Sequence, residues 1–287
     1  MASLSGITIA DLTRQLPGPF ASRELLRLGA RVVKIEPPEG DTTPAPWYRA
    51  LNEGKEIATW DAKGEPPPPV VAEADVVLEG FRPGVFERLG LDLSPSTILC
   101  SITGFGADGA HAHDAGHDLN YLGYAGVLAD TAPAVPPVQI ADLAAGAQAA
   151  VIEILAALYE RERSGSGSRI VVSMTHGAHR LAAHRLGGEP VPRLLTGGAA
   201  CYRIYETADG RHLTVAALEP KFWRNLCALL DRPDLDDRAY ESELPELADL
   251  FRSRPLAEWL ALLEGKDTCV GPVLTLEEAA AQLREQG

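Results

Sequence analysis

The stretch ITIADLTRQLPGPFASRELLRLGARVVKIE, residues 7–36, decides the architecture. It starts with a short β-prone run, I-T-I-A-D at 7–11. Pro17-Gly18-Pro19 then begins a helical pattern in which Phe20, Leu25, Leu26 and Leu28 are apolar, and Gly29 ends it. R-V-V-K-I-E at 31–36 is a second strand. A strand, a helix and a strand in this order predict a parallel pair joined by a right-handed crossover.

Outward from this unit the same alternation continues. Residues 56–60 read as a third strand, and 75–78 (D-V-V-L) and 97–102 (T-I-L-C-S-I) as two more. The run at 64–69, with four consecutive prolines, reads as a rigid non-helical linker. Arg82-Pro83-Gly84 leads into a short helix near 85–89. The first hundred residues therefore predict a doubly wound α/β sheet. Residues 117–163 predict a helix, a turn at Ala132-Pro133 and a long helix from about 140 to 163, followed by one further strand at 169–174. After Gly187-Gly188 a second unit begins. Residues 201–205 and 212–216 alternate around Asp209-Gly210, a hairpin signal. Helices are expected near 221–230 and 255–265, and a last one near 276–284 is expected to return to the first unit.

The chain has 287 residues, 46% of them hydrophobic, and a net charge of −14. That charge argues against nucleic acid and against anionic membrane surfaces as partners. It is unevenly spread: residues 1–150 carry −9, 151–230 carry +3 and 231–287 carry −8. The middle segment is thus the first place to expect an anionic small molecule. Cys100, Cys201, Cys227 and Cys269 are scattered and read as reduced thiols of a cytoplasmic protein. The opening M-A-S-L-S-G predicts no signal peptide, and R-E-Q-G at the end is no peroxisomal address. The apolar segment 138–159 contains Asp142, Gln148 and Glu153, which makes it a core helix rather than a membrane span.

Several motifs compete for the chemistry. Gly104-Phe105-Gly106-Ala107-Asp108-Gly109 fits G-x-G-x-x-G, but A-H-A-H-D-A-G-H follows instead of a helix, so a plain glycine loop is the better reading. His111, His113 and Asp114, like His176, His179 and His184, lack a metal-site spacing, and no metal is expected. His117 stands at the expected start of a helix, where the macrodipole favours the neutral, proton-accepting imidazole and backbone N–H groups can hold an oxyanion. Asp142 lies in the nearly uncharged run V-Q-I-A-D-L-A-A-G. It is either an ordinary helix-start carboxylate or a desolvated one fit for acid–base or nucleophilic work. Glu219 follows an apolar strand and precedes Pro220 at another helix start, with the ordinary reading favoured locally. No G-x-S-x-G occurs.

Taken in order, D-L-T-R-Q-L-P-G-P (11–19), L-G-A-R-V-V-K-I-E-P-P (28–38), L-N-E-G-K (51–55), F-R-P-G-V-F-E-R-L-G-L (81–91), S-I-T-G-F-G (101–106), A-G-H-D-L-N-Y, P-V-Q-I-A-D-L-A-A-G, A-L-E-P-K-F-W (217–223) and C-V-G-P-V-L-T-L-E-E-A (269–279) form a specific set. The chain resembles the class III CoA-transferase superfamily, and within it the α-methylacyl-CoA racemases. The resemblance implies a Rossmann-like large domain with a parallel sheet over residues 1–185, joined by the C-terminal segment 268–287. It also implies a smaller α+β domain over 186–267 and an interlocked homodimer. Against the family pattern the chain is short: the helix before D-V-V-L is reduced to the proline run, and the usual C-terminal extension is missing.

The implied ligand is coenzyme A as part of an acyl-CoA thioester substrate, with no tightly bound cofactor. The positions matching the family's CoA pattern are Lys34, Lys63 and Arg82, with Trp60 and Ala62 at the adenine and Asp118 and Tyr121 from G-H-D-L-N-Y. This moves the expected anion site into the −9 segment. His117 and Asp142 match the racemase acid–base pair, and Glu219 matches an assisting glutamate that the family supplies from the other subunit. Two proton carriers on opposite sides of the α-carbon would invert it through an enolate, with the Asp118 N–H as an oxyanion donor. The alternative is a CoA-transferase forming an aspartyl-CoA intermediate on Asp142, which needs no histidine at 117. A third reading is a non-catalytic acyl-CoA-binding member, against which the retention of His117, Asp142 and Glu219 counts.

Overall fold

The computed structural model describes residues 3–286, in two compact units, 1–186 and 187–287. In the first, β1 (Thr8–Asp11), α1 (Pro17–Arg27), β2 (Arg31–Glu36), α2 (Ala45–Asn52) and β3 (Glu56–Thr59) are followed by α3 (Pro69–Glu73), β4 (Val76–Glu79), α4 (Val85–Arg88) and β5 (Ile98–Thr103). Then come α5 (Asp118–Tyr124), a π-helical segment (Ala141–Gln148) running straight into α6 (Ala149–Ser164), β6 (Arg169–Ser173), α7 (Met174–Leu181) and α8 (Ala183–Leu186).

The six strands form one sheet in the order β3-β2-β1-β4-β5-β6, and every neighbouring pair is parallel. The order reverses between β1 and β4, which creates a crevice at the carboxyl ends of those strands. Side chains alternate across the sheet with period two. Ile9, Val32, Val76, Leu78, Ile98, Cys100 and Ile102 pack with Ala21 and Leu25 of α1, Leu122 of α5 and Ile154 and Leu158 of α6. Ala10, Val33, Ile35, Val77 and Leu99 face the other way, onto Trp60, Val71 and Phe86. Both faces of the central strands are covered, so β1, β4 and β5 are almost wholly buried, while the edge strand β3 is largely exposed and β6 partly so.

The second unit holds β7 (Tyr202–Glu206), β8 (His212–Ala216), α9 (Pro220–Leu229), α10 (Pro245–Phe251), α11 (Leu256–Leu263), β9 (Val270–Pro272) and α12 (Leu276–Gln286). β7 and β8 are the expected hairpin, and β9 adds antiparallel to β8. Its own core is built around Trp223, Phe251 and Trp259. The indole N–H groups of Trp223 and Trp259 are bonded to the carbonyls of Leu235 and Phe251, both at 2.8 Å.

The C-terminal segment begins with a short strand. Residues 270–272 pair with β8, which makes this part of the C-terminal segment a strand of the small sheet. Ladder hydrogen bonds to Leu213, Thr214 and Val215 hold it there. The proline run is not all linker, because Pro69 opens the one-turn helix α3, where a missing N–H costs nothing. The apolar stretch Ala141–Ser164 is long and apolar enough to cross a bilayer by length and composition alone. Here Ala145, Ala147, Ala150, Ile154 and Leu158 sit in the core of the first unit.

Candidate active site

The crevice at the β1–β4 switch is a cleft of about 760 Å³. Its walls are the β1–α1 loop (Leu12 to Gly18), the β4–α4 turn (Gly80 to Pro83), Thr103–Phe105 after β5, and the segment Ala112 to Tyr121. A second cleft of about 390 Å³ adjoins it over β2 and β3 and is lined by Glu36 to Glu39, Trp60, Asp61, Ala62 and Lys63. Leu12, Arg14 and Phe81 line both.

His117 is the N-cap of α5, exposed and on the wall of the larger cleft. Its own N–H donates to Asn120 Oδ1 at 3.1 Å, which fixes the chain as it enters the helix. One residue on, Asp118 Oδ1 accepts the Asp142 N–H at 2.9 Å, tying the start of α5 to the π-helical segment. Asp142 is half-buried in the first turn of that segment, among Ala141, Leu143 and Ala145. Burial, and then the Asp118 charge, push its carboxyl up to about 7. The sequence left an ordinary helix-start carboxylate and a desolvated one both open, and it predicted an α-helix where the segment is π-helical. π-Helical segments are rare and are found frequently at functional sites.

Tyr121 is bound to this corner by close approach. A Cβ on Gly104 would fall 2.4 Å from its ring, so only glycine lets the phenol lie against the strand end. The ring packs edge-on to Phe105 with centroids 5.2 Å apart, and the hydroxyl donates to the Gly116 carbonyl. Burial, with the Asp142 carboxylate second, raises its pKa. The glycine loop 104–109 opens no helix; the next helix starts at Asp118.

Arg82 is exposed on the larger cleft, with its guanidinium on the His113 carbonyl at 3.2 Å. Trp60, Ala62 and Lys63 all line the smaller cleft, with the Trp60 indole bonded to the Glu65 carbonyl at 3.0 Å. Lys34 does not join them. Its side chain is wholly buried, its ammonium donates to the Thr13 carbonyl at 2.9 Å, and it lies 3.0 Å from Asp41. In the pleat of β2 this position carries the side chain to the β1–α1 loop, away from the lining of both clefts. Glu219 is the N-cap of α9 in the second unit. Among the described residues no cluster of His, Cys, Asp or Glu is placed to hold a metal ion, and His111 is instead paired with Asp114 at 2.8 Å.

Sequence reasoning overlooked Arg14. The available signal was its place in the turn after the first strand of a doubly wound sheet, where such folds bind ligands.

Comparison with known proteins bears on this site. The family model described as CoA-transferase family III matches residues 4–287. The human alpha-methylacyl-CoA racemase is 34% identical over 96% of this chain and 79% of its own length. The acetyl-CoA:oxalate CoA-transferase of Acetobacter aceti is 30% identical over 96% of this chain and 82% of its own. Among solved structures, a CAIB/BAIF family protein from Brucella suis superposes with a TM-score of 0.80 at 28% identity, covering 99% of this chain and 88% of that one.

Proposed function

The chain belongs to CoA-transferase family III, and from that premise we propose that it inverts the α-carbon of a 2-methyl-branched acyl-CoA thioester. The observation that carries the reading is Asp142, a carboxyl poised at about 7 and joined through Asp118 to the helix that His117 caps. Near neutral pH such a carboxyl is present in both protonation states, so it can take or give a proton. His117 is the second carrier. One removes the α-proton while the other returns a proton to the opposite face, and the roles exchange for the reverse direction. The intervening enolate oxygen is held by a backbone N–H at the start of α5, that of Asp118. Trp60, Ala62 and Lys63 take the adenine end of the thioester, and Arg82 its anionic part.

The active species in this reading is a homodimer, with Glu219 of the partner subunit assisting His117. Exposed Ile152, Tyr159, Val171 and Leu181 support an apolar contact on the first unit. Light scattering at a monomer mass would remove this part.

The test is incubation with 2-methylacyl-CoA thioesters in heavy water. Deuterium enters the α-position if the reading holds; no uptake across a panel of thioesters overturns it. The second reading is CoA transfer through an Asp142 anhydride and aspartyl-CoA thioester. It is favoured by the relatives named CoA-transferases. If His117→Ala still moves CoA between acids while Asp142→Ala does not, that reading replaces the first.

A further inference from the structure

The two clefts share one charged residue, Arg14. It is exposed, and its guanidinium has no hydrogen-bond or ion-pair partner among the described residues. The loop carrying it is held on both sides. Leu12 N–H reaches the Leu78 carbonyl at 2.8 Å, Thr13 N–H the Asp11 carboxylate at 2.9 Å, and Phe20 N–H the Leu16 carbonyl at 3.0 Å. Buried Lys34 and Lys55 hold the carbonyls of Thr13 and Pro19, each at 2.9 Å. Gln15 adopts a left-handed φ of 65°, and the loop closes over Gly18, whose Cβ would fall 2.1 Å from the Thr13 hydroxyl.

In a doubly wound fold, the first helix usually presents its N-terminal N–H groups to a diphosphate. Here that cradle is largely dismantled. α1 begins Pro17-Gly18-Pro19, so its first three residues offer one N–H. Carboxylates of Asp114, Glu36, Glu39 and Asp61 also line the clefts. An anion lying across the two clefts therefore needs a side-chain cation where they meet.

The geometry points to Arg14 as the residue that binds the diphosphate of the CoA moiety, bridging the adenine cleft and the thioester cleft. This rests on the CoA reading above. The planar guanidinium suits bidentate contact with phosphate oxygens, and the pinned loop supplies it already ordered. The two buried lysines act through that loop and touch no ligand.

Calorimetric titration of the full chain, as wild type, Arg14→Gln and Arg14→Lys, with CoA and with dephospho-CoA tests it. Dephospho-CoA keeps the diphosphate and lacks the 3′-phosphate. Arg14→Gln is expected to weaken both ligands by the same factor, roughly ten- to a hundredfold, with Arg14→Lys recovering part of the loss. Unchanged affinity in Arg14→Gln, with a wild-type melting curve, overturns the inference and leaves the proposed function standing. A loss confined to CoA assigns Arg14 to the 3′-phosphate and overturns it too. Wild type that binds neither compound overturns both readings together. If Arg14→Gln melts early, Arg14→Lys binding either ligand as wild type does, with the same dependence on salt, counts against bidentate contact and overturns the assignment.

Discussion

Asp11 and Asp142 are both carboxylates withdrawn from water in the first unit, and their surroundings are opposite. Asp11, fully buried at the end of β1, accepts from the Thr13 N–H and hydroxyl, the Ser22 hydroxyl and the Lys55 ammonium at 3.3 Å. Lys55 in turn is bonded to Ser22, Asn52 and the Pro19 carbonyl. Asp142 stands in the apolar run Ala141–Ala145, and the charge that acts on it is a second carboxylate, Asp118. Burial with donors gives an anchor for the loop above it; burial without them gives a group that trades its proton near pH 7. The same fold thus holds one residue type in two electrostatic states, separated by what each carboxylate is given to bind.

The largest effect should come from the reactive member. Asp142→Asn is expected to lower α-proton exchange by about 10²–10⁴-fold in a deuterium-uptake assay, while the circular dichroism spectrum stays unchanged. Equal rates would erase the contrast. Next is the anchor. Asp11→Ala leaves the Lys55 ammonium buried without its counter-charge, and denaturant unfolding should show a loss of about 3–5 kcal/mol.

The pH dependence sharpens the comparison. Asp142 holds its proton in the folded state to about pH 7 but loses it near 4 when unfolded. The folded state binds more protons in that window, so this group's contribution falls as pH rises from 4 to 7. Asp142→Asn should therefore be more stable than wild type at pH 8, by on the order of 4 kcal/mol at about 1.4 kcal/mol per pKa unit, and the advantage should vanish by pH 4. A pH-independent difference would mean that Asp142 is not desolvated. Last, Gly104→Ala places a methyl into the Tyr121 ring. It should cost about 1–3 kcal/mol of stability and slow exchange, while Gly123→Ala, with open space around it, should leave exchange unchanged.

The contrast also shows what was readable beforehand. The β-α-β unit, the hairpin at 202–216 and the isolated Asp142 were visible, because periodicity and an oddly placed charge are local signals. Helix α2, with its Pro-Trp-Tyr start, and α10, masked by surrounding acidic residues, were not. Nor was the role of Lys34, whose position in V-V-K-I looks like any strand cation until the Thr13 carbonyl, 21 residues away, is brought over it. The Lys55–Asp11 contact spans 44 residues and leaves no periodic trace. Polar groups that find partners only through tertiary folding escape a local reading.

One feature of the sheet has a consequence in time. β5 and β6 are neighbours, yet their paired residues Leu99 and Arg169 are 70 positions apart, and everything from His117 to Asp142 lies between them. On a ribosome adding about 5–20 residues per second, β6 emerges roughly 4–14 s after β5. During that interval β5 is the sheet's bare edge, and the segment from His117 to Asp142 has no closing strand behind it. The strands β1, β2 and β4 around the cleft floor are therefore synthesised first, and the corner between His117 and Asp142 is closed only once β6 has followed.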